Sequence, residues 1–171
     1  MAEIVDGELV TSPRPASPHA YTAGMVFRDV STRFHGPPGD GGGGWWTLFE
    51  PELHLGKDVV VPDLGGWRHE RMPAFPNVPF FELAPDWVCE VSSPSTARFD
   101  RTRKLAVYAR EGVSHVWMVD ALARRFEVFR LEGGRWVLAA AHGGDDVVRA
   151  EPFETLEIAL ARWWPPIEPP G

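Results

Sequence analysis

The sequence predicts an α/β sandwich, with a mixed central β-sheet, helices packed against it and a C-terminal β extension. Three observations carry this. Short runs rich in Val and Trp recur between turn residues, as strands do. Two segments, near 17–34 and 99–111, repeat apolar residues at helical spacing. The second is followed by another apolar run, His115 to Val119, so a meander leads into a helix and a returning strand.

The chain opens with Glu3-Ile4-Val5-Asp6-Gly7-Glu8-Leu9-Val10, a hairpin turning on Asp6-Gly7. Ser17-Pro18 reads as an N-cap followed by proline at the first helical position. Ala23, Val26, Phe27, Val30 and Phe34 then share a helical stripe, and Gly36-Pro37-Pro38 ends the helix. Residues 36–44 read as a flexible Gly/Pro loop. A phosphate cradle would require a Lys-Ser/Thr pair after the glycines, and Trp45-Trp46 follows instead.

Trp45 to Leu55 and Asp58 to Trp67 read as strands joined at Gly56-Lys57. Residues 68–85 are proline-rich and are expected to order over a site. Asp86 to Ser92 is a third strand, and Phe99 to Glu111 is a helix stopped by Gly112. Phe126 to Leu131 and Trp136 to Ala141 form a hairpin across Glu132-Gly133-Gly134. Pro152 to Leu160 is the expected last strand, and residues 165–171 a frayed tail.

With 171 residues, 44% of them apolar, the chain is long enough for one domain, 1–171, with a real core. Its single cysteine, Cys89, excludes an internal disulfide framework and fits a cytoplasmic setting. The N-terminus lacks a signal-peptide pattern, and no run approaches the roughly 20 apolar residues of a membrane span. A net charge of −7 opposes non-specific nucleic-acid binding, so such binding would need a local basic patch or a metal.

Glu90 stands inside the apolar run Trp87-Val88-Cys89-Glu90-Val91, where an unpaired carboxylate is costly. Asp63 follows another such run, Val59-Val60-Val61-Pro62. Two strands with one embedded acid each point to a divalent-metal site. Competing readings are a strand-end turn for Asp63, before Gly65-Gly66, and a buried ion pair of Glu90 with Arg98 or Arg101. Lys104 follows on the next helix, where it is also placed to pair with Asp100 at i,i+4.

Several phrases together resemble a known group. They include Asp6-Gly7-Glu8-Leu9, Ser17-Pro18-His19, Pro62-Asp63-Leu64, Glu90-Val91-Ser92-Ser93-Pro94-Ser95-Thr96, Lys104, Tyr108 and Trp117-Met118-Val119-Asp120. In order and spacing the chain is similar to the Uma-type restriction-endonuclease family of the PD-(D/E)XK nuclease superfamily. The resemblance implies a restriction-endonuclease-like core and a Mg²⁺-dependent nuclease site, with Mn²⁺ able to substitute. Asp63 and Glu90 would hold the metal, and Lys104 would orient water or stabilise developing charge. It implies DNA as partner, with RNA equally compatible. One departure matters: the superfamily's strand lysine is here Ser92, so Lys104 takes that role by relocation, as in the Uma-type family. The alternative is a catalytically silent relative serving as a binding or scaffold protein.

Glu8 and His19 are secondary candidates, because an N-terminal acid often completes the superfamily's metal site; a solvated acid and a capping or surface histidine are their plain readings. Glu50 and Glu52 are weaker still. The six histidines show no zinc-like spacing, and Ser92, Ser93 and Ser95 lack a nucleophile-elbow pattern. Arg98 to Lys104 is the one dense basic stretch, fit either for phosphates or for solvent. The eight tryptophans read as core or interface. The aromatic-rich hairpin from Phe126 to Trp136 and the strand Trp45-Trp46-Thr47-Leu48-Phe49 hold more large apolar groups than one small core needs, which favours a two-fold homodimer. The alternative is that they complete the monomer core.

Overall fold

The computed structural model describes residues 2–39, 42–92 and 100–166. The turn and N-cap expected at Ser93 to Thr96, the side chain of Asp100, Arg98, Phe99 and the tail beyond Pro166 lie outside the described residues.

Strands β1 (Ala2–Val5) and β2 (Glu8–Thr11) form the expected hairpin, with Asp6 and Gly7 at φ 54° and 80°. Helix α1 runs Ser17–Phe34, with Pro18 in its first turn and Ala16 as the N-cap in place of Ser17. The next strands are β3 (Trp45–Phe49), β4 (Leu53–Leu55), β5 (Asp58–Val60), β6 (Leu64–Arg68) and β7 (Trp87–Ser92). A π-helical turn, Asp100–Lys104, leads into α2 (Leu105–Arg110). The chain continues with β8 (His115–Asp120), β9 (Arg125–Glu132), β10 (Arg135–Gly143), β11 (Val147–Val148) and β12 (Ile158–Ala159). A 3₁₀ turn, Leu160–Arg162, follows.

The main sheet has the order β10-β9-β8-β7-β6-β3, and a smaller one the order β2-β1-β5-β4. Only β7 and β8 pair in parallel within the main sheet. Parallel neighbours require a crossover, and the segment containing α2 supplies it.

Period-two alternation sorts the side chains of β7. Trp87, Cys89 and Val91 enter a core formed with Ala23, Val26 and Val30 of α1. Val88 enters the opposite core, built from Val5, Leu53 and Val60 of the small sheet and Leu105 and Tyr108 of α2. The main sheet is therefore covered on both faces, by α1 and by α2 with the small sheet.

Three expectations need correction. Residues 45–55 and 58–67 each divide between two sheets. Pro51 and Pro62 lack the ladder N–H, and Glu50 takes a left-handed φ of 43°. The Gly/Pro loop is tied down: Gly43 donates to Arg33 O (3.0 Å) and Gly44 to Gly36 O (2.8 Å). Of residues 152–160, only Ile158–Ala159 is strand, since Phe153 and Leu156 close turns. The tryptophans serve the monomer: Trp45, Trp67, Trp87 and Trp117 are buried, and the indoles of Trp46 and Trp136 donate to Met72 O and Leu105 O.

Candidate active site

Glu90 lies on the fully buried strand β7, on the face of Val88, and is 3% exposed. Lys104 and Tyr108 are four residues apart across the π-turn and α2, so both reach the same place. Lys104 Nζ is 2.9 Å from Glu90 Oε1, and the Tyr108 hydroxyl donates to that oxygen at 2.5 Å. The ion pair expected between Glu90 and Arg101 is not formed; Arg101 pairs with Glu127 instead.

Asp63 precedes β6 by one residue. The antiparallel register pairs Leu64 with Cys89, so one further step sets Asp63 across from Glu90. Its carboxylate caps the end of the ladder: Oδ2 accepts the Val91 N–H at 2.7 Å. The other oxygen meets His19 Nε2 at 2.6 Å, from the first turn of α1. His19 is thus a contact of the site rather than a surface cap. Asp63 and Glu90 both raise the pKa of the Cys89 thiol, though burial raises it more.

Sequence reasoning missed Glu3. Its carboxylate is buried, 3.1 Å from Lys104 Nζ, and accepts the Val61 N–H at 2.8 Å. Lys104 also donates to Val61 O at 3.1 Å. The available signal was alternation: Glu3 shares the buried side of β1 with Val5, while Ile4 faces out. Glu8, the acid singled out on this hairpin, is placed apart from Glu90 and Lys104. It lies on the edge strand β2, largely exposed, and pairs with Arg103. Glu50 and Glu52 are exposed too, Glu52 beside His54.

Of the basic stretch, Arg101, Arg103 and Lys104 have partners within the protein. Arg101 holds Glu127, Arg103 holds Glu8 and Val5 O, and Lys104 is buried. The loop expected over the site packs elsewhere. Met72 O and Leu83 O accept the indoles of Trp46 and Trp67, and Phe81 bridges to Leu53. The loop leaves β6 and returns to β7 at the ends opposite Asp63.

The donor set suits a hard divalent cation. Mg²⁺ is commonly held by one or two carboxylates and keeps several waters. Among the described residues, Lys104 faces the buried carboxylates of Glu3 and Glu90, and the Asp63 carboxylate stands across from Glu90 in the register. The Ser92 hydroxyl, on the same face of β7 as Glu90, is buried without a hydrogen-bond partner among the described residues. Both features fit a bound cation with its water shell. Among the described residues no three His, Cys, Asp or Glu side chains are placed to hold a metal ion together.

The Uma2 family, described as putative restriction endonuclease, matches residues 1–161. The chain belongs to this family. A crystal structure of a putative nuclease belonging to DUF820 from Anabaena variabilis ATCC 29413 is similar to it, with a TM-score of 0.74 at 19% identity. The similarity covers 95% of this chain and 89% of that one, and it shows the shared fold. A search of curated proteins gives no match. Uma2 membership and this fold support a nuclease-type function. Among the described residues no helix is long and apolar enough to cross a membrane.

Proposed function

We propose that the chain is a Mg²⁺-dependent endonuclease that hydrolyses phosphodiester bonds of DNA. The contact between Lys104 and Glu90, at 2.9 Å, carries this reading. It puts an ammonium beside the strand carboxylate even though Ser92 occupies the usual lysine position. Asp63 and Glu90 would hold the metal, which when bound would polarise a phosphoryl oxygen and lower the pKa of a water. Lys104 orients Glu90 and offsets repulsion among the carboxylates. Tyr108 fixes the Glu90 side chain from the other direction. His19 holds Asp63 Oδ1, and the Val91 amide holds Oδ2, so Asp63 is set before any substrate arrives.

One observation favours the silent scaffold reading. Both Asp63 oxygens and Glu90 Oε1 already have protein partners. Nicking of supercoiled plasmid separates the two. The nuclease reading expects Mg²⁺- or Mn²⁺-dependent nicking by the wild type and its loss in Glu90→Gln. Wild type that leaves plasmid intact with both metals supports the scaffold. Cutting both strands of a duplex further calls for two sites, which a two-fold homodimer supplies. Light scattering at micromolar concentration would then give about twice the 19.1 kDa chain mass, and a value near 19.1 kDa would remove the dimer.

A further inference from the structure

Away from the carboxylates, a cavity of about 550 Å³ opens between α1 and the C-terminal 3₁₀ turn. Arg28, Asp29, Thr32 and Arg33 line it from the helix, with Leu156 and Arg162 opposite. Three arginines and a threonine line it together with a single aspartate, in a chain whose net charge is −7. That carboxylate is not available to a ligand as a repulsive surface. Asp29 is buried, and its Oδ2 accepts the Trp163 indole N–H at 3.0 Å. Its other contacts hold the rim in place: Arg28 Nη2 donates to Oδ1 at 2.9 Å and Arg162 Nη2 to Oδ2 at 3.4 Å. Arg28 Nε also donates to Oδ1 at 3.2 Å, and Arg28 and Arg162 remain about half exposed, at 50% and 52%.

We propose that this arginine-lined cavity binds a backbone phosphate of the nucleic acid whose cleavage is assigned to the carboxylate site. The proposal rests on the nuclease reading for its partner. Guanidiniums pre-positioned by a buried acid suit phosphate, because the planar fork matches two phosphate oxygens and loses little freedom on binding. Position along the helix supports a backbone contact. His19 touches Asp63 in the first turn of α1, and Arg28 and Arg33 follow nine and fourteen residues later. At 1.5 Å per residue they lie about 14 and 21 Å along the axis. That is roughly four to six steps of a duplex at 3.4 Å per step. Arg33 stands about 40° from His19 around the helix and Arg28 about 180° from it, so Arg33 is the arginine on the side of His19.

Anisotropy of a fluorescein-labelled 20-base-pair duplex, in EDTA and across a salt series, reads this without catalysis. Arg33→Glu leaves both arginine partners of Asp29 in place. Arg28→Gln/Asp29→Asn/Arg162→Gln removes charge without stranding a buried carboxylate. Each is expected to weaken duplex binding at least about fivefold and to flatten the log–log salt slope by about one per lost phosphate contact. Wild-type affinity and slope in both variants would overturn the proposal. So would wild type that leaves the anisotropy unmoved up to about 100 µM, the weak limit of non-specific binding. Calorimetry with inorganic phosphate separates the sources: phosphate binding lost in the variants while duplex binding is unchanged assigns the cavity to a free anion and refutes the backbone contact. Hydrolysis of bis(p-nitrophenyl) phosphate, too short to span both places, tests the nuclease reading separately.

Discussion

Lys104→Ala is expected to destabilise the fold severely, whatever it does to activity. A helix lysine paired only with Asp100 at i,i+4 would contribute about 0.3 kcal/mol, and the structure places Lys104 in a different setting. Lys104 is 3% exposed and lies within 3.1 Å of Glu3, Glu90 and the Val61 carbonyl. Truncation leaves two buried carboxylates short of a cation and a carbonyl short of a donor. Removing one partner of a buried ion pair costs about 3–5 kcal/mol. With a urea m-value of about 2 kcal/mol/M, the midpoint should fall by about 2 M. Lys104→Met combined with Glu90→Gln should cost clearly less than the sum of the two single changes, because the stranded charge is gone. Urea titrations of the single and double variants measure both outcomes. A loss below about 1 kcal/mol for Lys104→Ala, typical of exposed pairs, would refute the buried-cluster account.

Other outcomes follow from the same contacts. Glu3→Gln should weaken the fold by about 1–3 kcal/mol by urea titration, while Glu8→Ala, on the exposed side of its hairpin, should change it by under about 0.5 kcal/mol. Burial holds the His115 imidazole below its ordinary pKa of 6.5, against the opposing pull of Glu151. A lowered histidine contributes stability above 6.5 that is lost as pH falls through the folded value; thermal melts should decline between about pH 7 and 5, less so for His115→Gln. Gly43→Ala should destabilise strongly in the same melts, because φ is +80° and the new Cβ would lie 2.0 Å from Pro37 O.

What was legible in the sequence was what is local. Asp6-Gly7 and Gly133-Gly134 fix their hairpins by positive φ, and the stripe from Ala23 to Phe34 fixes α1. Glu90 stood out because a carboxylate in a strand buried on both faces requires a partner. What stayed hidden depends on distant chain. Glu3 meets Lys104 across the small sheet, and nothing near Glu3 names that partner. The division of residues 45–67 between two sheets was signalled by Pro51 and Pro62, but continuous apolar runs masked it. The pairing of Arg101 with Glu127 needs the main-sheet register, in which Glu127 stands opposite Met118.

Calorimetric titration of Mn²⁺ into wild type and into Asp63→Asn/Glu90→Gln tests the central claim most directly. Both substitutions keep side-chain size and remove the charges a divalent ion would need. The account predicts one saturable site in the wild type and none in the double variant. Equal binding by the two proteins, with both folded by circular dichroism, would contradict the assignment of Asp63 and Glu90 as the metal-holding pair.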